Sequence, residues 1–186
     1  TIHVSPNGFV SFGGTDTDTT PSISDAIIDV GRVGFWTDLD PSEGGTITIS
    51  SPAPSILRAD WAGVFYNTGG PGNTFGIQFD CGTGVIQIDG LGGLMPNPGT
   101  ATTDDQWMGI SPGITFAPTV TTDPGAAGFG LGMNGMAAGA TDMLYEFNDT
   151  SVTMSGLPAS VAGGMTTLVF TPITVGTGVN YSWVGM

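Results

Sequence analysis

The chain has 186 residues, of which two are basic (Arg32 and Arg58), none is lysine and 16 are acidic, for a net charge of −14. That balance excludes nucleic-acid binding through the chain's own charge, because phosphate contacts need Lys and Arg, and it excludes docking on an anionic membrane surface. Charged residues make up 10% of the chain against about 25% in an ordinary soluble domain, yet 39% hydrophobic residues and four Trp supply a core that a disordered chain lacks.

Gly or Pro interrupts nearly every window of ten residues, and each costs about 1 and 3 kcal/mol inside a helix. No stretch shows helical periodicity. Short alternating runs bounded by Gly, Pro, Asn and Asp predict strands instead. Residues 1–4 and 8–12 flank Ser5-Pro6-Asn7-Gly8, a turn with one fixed φ followed by residues that tolerate positive φ. Residues 27–36 read as extended. Residues 46–50 put Ile47 and Ile49 on one face. Residues 56–66 alternate Leu57, Ala59 and Trp61 against Arg58 and Asp60. Residues 74–79 align Phe75, Ile77 and Phe79, and 85–88 align Ile86 and Ile88. Cys81-Gly82-Thr83-Gly84 joins those two runs as a hairpin. Residues 107–111 form a further candidate.

In the second half, 143–147, 151–154, 166–171 and 179–184 read as strands. The Gly/Ala/Met stretch between Pro124 and Ala140 predicts a loop, with a short helix near 136–140 as the alternative. About a dozen strands with turn signals every 8 to 12 residues predict an all-β, antiparallel, sandwich or jelly-roll domain spanning 1–186. No fixed-period repeat interrupts it.

A set of motifs recurs in a familiar order: Ser5-Pro6-Asn7-Gly8-Phe9-Val10-Ser11-Phe12-Gly13, Val33-Gly34-Phe35-Trp36-Thr37-Asp38-Leu39-Asp40-Pro41, Gly44-Gly45-Thr46-Ile47, Ala59-Asp60-Trp61, Asn73-Thr74-Phe75-Gly76-Ile77-Gln78-Phe79 and Trp107-Met108-Gly109-Ile110-Ser111. Together they resemble the nidogen-type extracellular β domain and its relatives in secreted bacterial proteins, over residues 5–111. The resemblance implies an all-β module of adhesive and matrix proteins and carries over no catalytic residue. Such domains have a further strand before the Asn-Gly-Phe strand, whereas here the sequence opens four residues before Ser5. The expectation is an apolar groove beside an unpaired edge. Either the additional strands of 112–186 or a strand from a neighbouring copy would fill it. The absence of an initiator Met and of a signal-peptide pattern reads as a processed chain or a piece of a longer one.

Catalytic groups are scarce. His3 is the only histidine and there is no Lys, which nearly excludes Ser–His, Cys–His and Ser–Lys arrangements. The only two glutamates, Glu43 and Glu146, sit in no glycosidase motif. One Cys and one His cannot build a zinc site. Calcium is the cation that carboxylates in loops suit. Asp38, Asp40 and Glu43 form the candidate set, with Asp16–Asp18 and Asp104–Asp105 as further acidic loops. The competing reading of Asp38 and Asp40 is an Asx-type turn. Cys81 cannot pair within the chain, which excludes a disulfide scaffold. Asn148 and Asn180 match the Asn-x-Ser/Thr glycan-acceptor pattern. The Thr-rich turns at 15–20, 100–103 and 119–122 could carry O-glycans instead, and some such layer would solubilise a surface poor in Lys and Arg. Trp36, Trp61, Trp107, Trp183 and Tyr66 fit core positions better than a sugar-stacking face.

These readings converge on a non-enzymatic extracellular protein, at the cell surface or in the matrix of a prokaryote. Its expected role is a repeating filament subunit joined to copies of itself by β-strand exchange. Ile2 and Val4 at one end and Tyr181, Trp183 and Val184 at the other are the candidate interface residues. The alternative is a carbohydrate- or protein-binding adhesion module of a larger secreted protein. No cofactor beyond calcium, no nucleic acid and no membrane insertion is expected.

Overall fold

The computed structural model describes residues 1–67, 69–94, 105–114, 118, 121–122, 136–138, 143–148, 167–175 and 178–185. Fourteen strands follow one another among them: β1 (Ile2–Val4), β2 (Phe9–Phe12), β3 (Val30–Trp36), β4 (Leu39–Asp40), β5 (Thr46–Ala53), β6 (Ile56–Tyr66), β7 (Gly69–Asp80), β8 (Ile86–Asp89), β9 (Gln106–Gly113), β10 (Thr121–Thr122), β11 (Met136–Ala138), β12 (Met143–Asn148), β13 (Thr167–Val175) and β14 (Gly178–Gly185). Among the described residues no helix reaches seven residues. The fold is all-β, as the density of Gly and Pro requires.

The strands form two sheets. One has six strands in the order β1-β2-β3-β9-β12-β10. The other has eight, in the order β11-β14-β13-β8-β7-β6-β4, with β5 also paired to β6. Neighbours run antiparallel except β10 and β12, which are parallel. The sheets share one apolar core. Val10, Val33, Phe35 and Met108 come from the first sheet, and Trp61, Phe75, Ile77, Ile88 and Phe170 from the second. Trp61 stacks on Phe75 at 4.8 Å, and Phe35 meets Phe75 edge-on at 5.6 Å. Such aromatic pairs contribute about 0.5–1.5 kcal/mol each beyond area burial. Two polar ties also cross between the sheets. Gln106 Nε2 donates to the Tyr66 hydroxyl at 2.7 Å, and Trp61 Nε1 donates to the Pro6 carbonyl at 3.2 Å.

The Ser5–Gly8 turn holds the centre of this junction. The Gly8 carbonyl accepts from Phe35 N at 3.0 Å. Gly8 has φ +89, and a Cβ there would collide with the Phe35 carbonyl oxygen, so only glycine fits.

The structure departs from the expected elements in three places. Residues 121 and 122, expected within a Thr-rich turn, pair with Met143 and Leu144 as β10. Residues 27 and 28 are not extended: they close helix α1 (Ile23–Ile28). Ser22 caps it, its Oγ accepting from Asp25 N at 3.0 Å and donating to the Asp25 carboxylate, a local cap strong enough for one and a half turns. Residues 136–138 are a strand paired to β14, neither the expected loop nor its helical alternative. The runs 151–154 and 126–133 lie outside the described residues.

Helix α1 covers the outer face of the six-stranded sheet, where Phe9, Ala26, Trp36, Trp107 and Met143 form a second cluster. Arg32 lies on this face, fully buried. Its Nη2 pairs with Asp16 at 2.7 Å and Asp29 at 3.0 Å. Its guanidinium lies over the Trp36 ring at 4.0 Å. Removing one partner of a buried pair strands the other, at a cost of about 3–5 kcal/mol. Arg32→Met is therefore expected to lower unfolding free energy by about that amount in a urea titration. The exposed Thr48→Ala change should stay within about 0.5 kcal/mol in the same titration.

Candidate functional site

Among the described residues, the candidate chemical groups lie apart from one another. His3 stands in β1 opposite Ser11, but the Ser11 hydroxyl is buried and donates to the Gly14 carbonyl at 2.8 Å. Among the described residues no three His, Cys, Asp or Glu side chains gather into a group that could hold a metal ion. Asp38, Asp40 and Glu43 are each turned elsewhere. Asp38 Oδ2 accepts from Asn67 Nδ2 at 3.1 Å. Asp40 Oδ1 accepts from Ser42 N at 2.8 Å, the Asx-type turn weighed for it. Glu43 is exposed. Asp16 and Asp18 form successive turns of the same kind, their carboxylates accepting from Asp18 N and Thr20 N. Asp104 lies outside the described residues.

Trp36, Trp61, Trp107 and Tyr66 are fully buried, so these four line no sugar-stacking platform. Cys81 is exposed beside the β7–β8 hairpin, whose turn is fixed by Asp80 Oδ1 accepting from Gly82 N and Thr83 N. Asn148 ends β12 opposite Gln106, and Asn180 lies in β14 opposite Ile173. Residues 149 and 150 of the first acceptor tripeptide lie outside the described residues.

The terminal strands are paired within their own chain. Ile2 and Val4 lie in β1, opposite Phe12 and Val10 of β2, and both pack partly buried against the core. Tyr181, Trp183 and Val184 lie in β14. All three face β13, and Tyr181 and Trp183 also face β11 on the other side.

A different strand is open. Along one side, β5 pairs with β6 from Thr46↔Ala62 to Ser50↔Arg58, and again at Ala53↔Ile56 beyond a register shift. No strand among the described residues pairs with its other side. Residues 44–57 carry no ionisable side chain, and Ile49 is 61% exposed. Edge strands are ordinarily blunted by charge, by Pro or by shortness. Here Pro52 blocks only the far end, leaving Thr46 to Ser51 open. Gly45, with φ +87, lets the strand start hard against Gly63, where a Cβ would strike the backbone. The alternation of 46–50 was visible in the sequence. Which side of the strand lacked a neighbour was not.

The charges opposite β5, on β6, are already matched. Arg58 Nη1 and Nη2 hold the Asp89 carboxylate at 2.7 and 2.8 Å, and Arg58 Nε holds Asp60 at 2.8 Å. The hydrogen bonds from Arg58 keep the Asp89 carboxyl below its ordinary value. Burial does the reverse to Asp16 and Asp38, pushing both up despite their polar partners.

The chain matches no protein-family model, no curated protein and no solved structure.

The opposed carboxylates set a pH profile. Asp16 and Asp38 hold a proton more readily folded than unfolded, so their protonation adds stability as pH falls from neutral toward the ordinary value of 3.8. Asp89 holds its proton less readily when folded, so its contribution is lost as pH falls below 3.8. Read by circular dichroism, the melting temperature is expected to rise on acidification from pH 7 and to fall again below 3.8, where Asp40, Asp80 and Asp89, all lowered by their hydrogen bonds, lose their contribution. A steady decline from pH 7 downward would contradict the burial of Asp16 and Asp38.

Proposed function

We propose that the protein is a non-enzymatic structural subunit, a sandwich-like domain working outside the cell. In this reading it assembles with copies of itself by main-chain pairing at sheet edges. The observation that carries it is the open, uncharged side of β5. Two copies of a chain at −14 repel one another, and an uncharged edge is where they can approach at least electrostatic cost. An added strand there gains backbone hydrogen bonds without displacing any strand already present.

Strand exchange through β1 or β14 would first have to break pairings these strands already make, so addition at β5 is favoured over exchange. An edge joined to a different edge of the next copy propagates a filament, whereas β5 against β5 would close as a dimer. The other end of the eight-stranded sheet, β11, offers the second edge among the described residues. Low charge, no lysine and abundant Gly and Thr support a place on the surface or in the matrix of a prokaryotic cell. The buried aromatic side chains weigh against a carbohydrate-binding role.

Light scattering with negative-stain microscopy in native buffer tests the reading. Long particles of uniform width are expected from the unaltered chain. Ile49→Lys places a charge on the exposed edge and is expected to abolish them, with its unfolding free energy changed by no more than about 0.5 kcal/mol. A monomer at every concentration, or filaments indifferent to Ile49→Lys, would sink the proposal.

A further inference from the structure

The segment between β2 and α1 has an alternation that the fold does not require. Thr15, Thr17 and Thr19 are exposed, while Asp16 and Asp18 between them are partly buried. The inward residues are tied to the body of the protein from three directions. Arg32 Nη2 pairs with Asp16 at 2.7 Å. Asn7 Nδ2 donates to the Asp18 carbonyl at 3.0 Å, and Trp36 Nε1 donates to the same oxygen at 3.2 Å. Each anchor reaches the segment from a separate place: the Ser5–Gly8 turn, the middle of β3 and its end. One of the chain's two cations is thus committed to holding a surface segment still.

The result is three secondary hydroxyls at alternate positions on the solvent side, and none of them bonds to a described residue. We propose that Thr15, Thr17 and Thr19 are acceptors for O-linked sugar. The chemistry favours sugar over phosphate. Each phosphate would add about 1.5–2 negative charges beside Asp16 and Asp18, in a chain already at −14. A neutral sugar adds none. It also supplies the hydration that a surface with 10% charged residues lacks.

The donor is a sugar activated as a phosphate ester, used by a transferase. Threonine Oγ1 attacks the anomeric carbon, and the new C1–Oγ1 bond forms as the bond from C1 to the phosphate oxygen breaks. The phosphate leaves with the electron pair, and the hydroxyl proton passes to a base of the transferase. No atom changes oxidation state overall. The anchored presentation of the row, outside any strand, lets such an enzyme engage the hydroxyls without unfolding the sheet.

Peptide mass mapping of protein isolated from the organism that makes it tests this inference. The peptide containing residues 15–20 is expected to exceed its sequence mass by whole sugar increments, removed by alkaline β-elimination. The triple variant Thr15→Val, Thr17→Val, Thr19→Val, made in the same organism, is expected to lose those increments while its circular dichroism spectrum and melting temperature stay unchanged. A peptide at its plain sequence mass, or one carrying phosphate, would overturn the proposal. The outcome is independent of whether the protein forms filaments.

Discussion

Arg32 places a full positive charge where no water reaches it, and one whole face of the six-stranded sheet is arranged around that charge. Desolvating an ion costs on the order of several kcal/mol even after relaxation. The cost is offset by two carboxylates, Asp16 and Asp29, and by the faces of Trp36 and Phe9 at 4.0 and 5.2 Å. Each of these partners brings a different piece of chain. Asp16 fixes the segment after β2, Asp29 fixes the link from α1 into β3, and Asp25 lends a backbone carbonyl from within the helix. The Ser111 hydroxyl, on the neighbouring strand, donates to the Ala26 carbonyl and clamps the helix from beneath. Loss of the guanidinium would loosen the segment and the helix together, leaving the segment on Asn7 and Trp36 and the helix on Ser111.

The opposite face of that sheet follows a simpler rule. Alternate residues of β2, β3 and β9 point into the core shared with the eight-stranded sheet, and the Ser5–Gly8 turn sits where the two meet. Pro6 accepts a bond from one sheet while Gly8 accepts one from the other. The six-stranded sheet is therefore covered on both sides, by the shared core on one and by α1 with its cluster on the other. The eight-stranded sheet uses its other face differently. Arg58, Asp60, Gln87 and Asp89 form a polar ladder there, and the chain's second cation is used up in it. Both cations serve structure, which leaves the exposed surface almost purely acidic or neutral.

That distribution bears on how the molecule meets others. A surface short of positive charge cannot recruit anionic partners by steering. Contacts through the main chain, which are indifferent to side-chain charge, become the natural alternative, and β5 offers them. The same shortage leaves hydration to hydroxyls and carboxylates. In the proposed reading, the anchored threonine row and the uncharged edge answer two problems set by one composition: remaining solvated, and approaching a copy that carries the same charge.

Much of the local structure was legible in the sequence because side-chain alternation is a local property. The strand over 56–66, the hairpin around Cys81 to Gly84, the Pro-Asn-Gly turn and the burial of Trp36, Trp61 and Trp107 all follow from residue type and spacing. Helix α1 was missed because six residues are too few to show a period. Its signal was the cap at Ser22 with Asp25 three residues on. What tertiary structure alone decided was adjacency. Alternation says which side chains share a face of a strand, not which strand lies beside it. So the sequence could not show that β14 is enclosed between β11 and β13 while β5 has one side unpaired among the described residues, nor that Ile49 is exposed although Ile47, on the same face, packs against the core. It could not show the burial of Arg32 either. An arginine in a strand reads as a surface residue until carboxylates 16 positions before and three positions before it are brought to its side. Those approaches depend on contacts far apart along the chain, and only the folded register sets them.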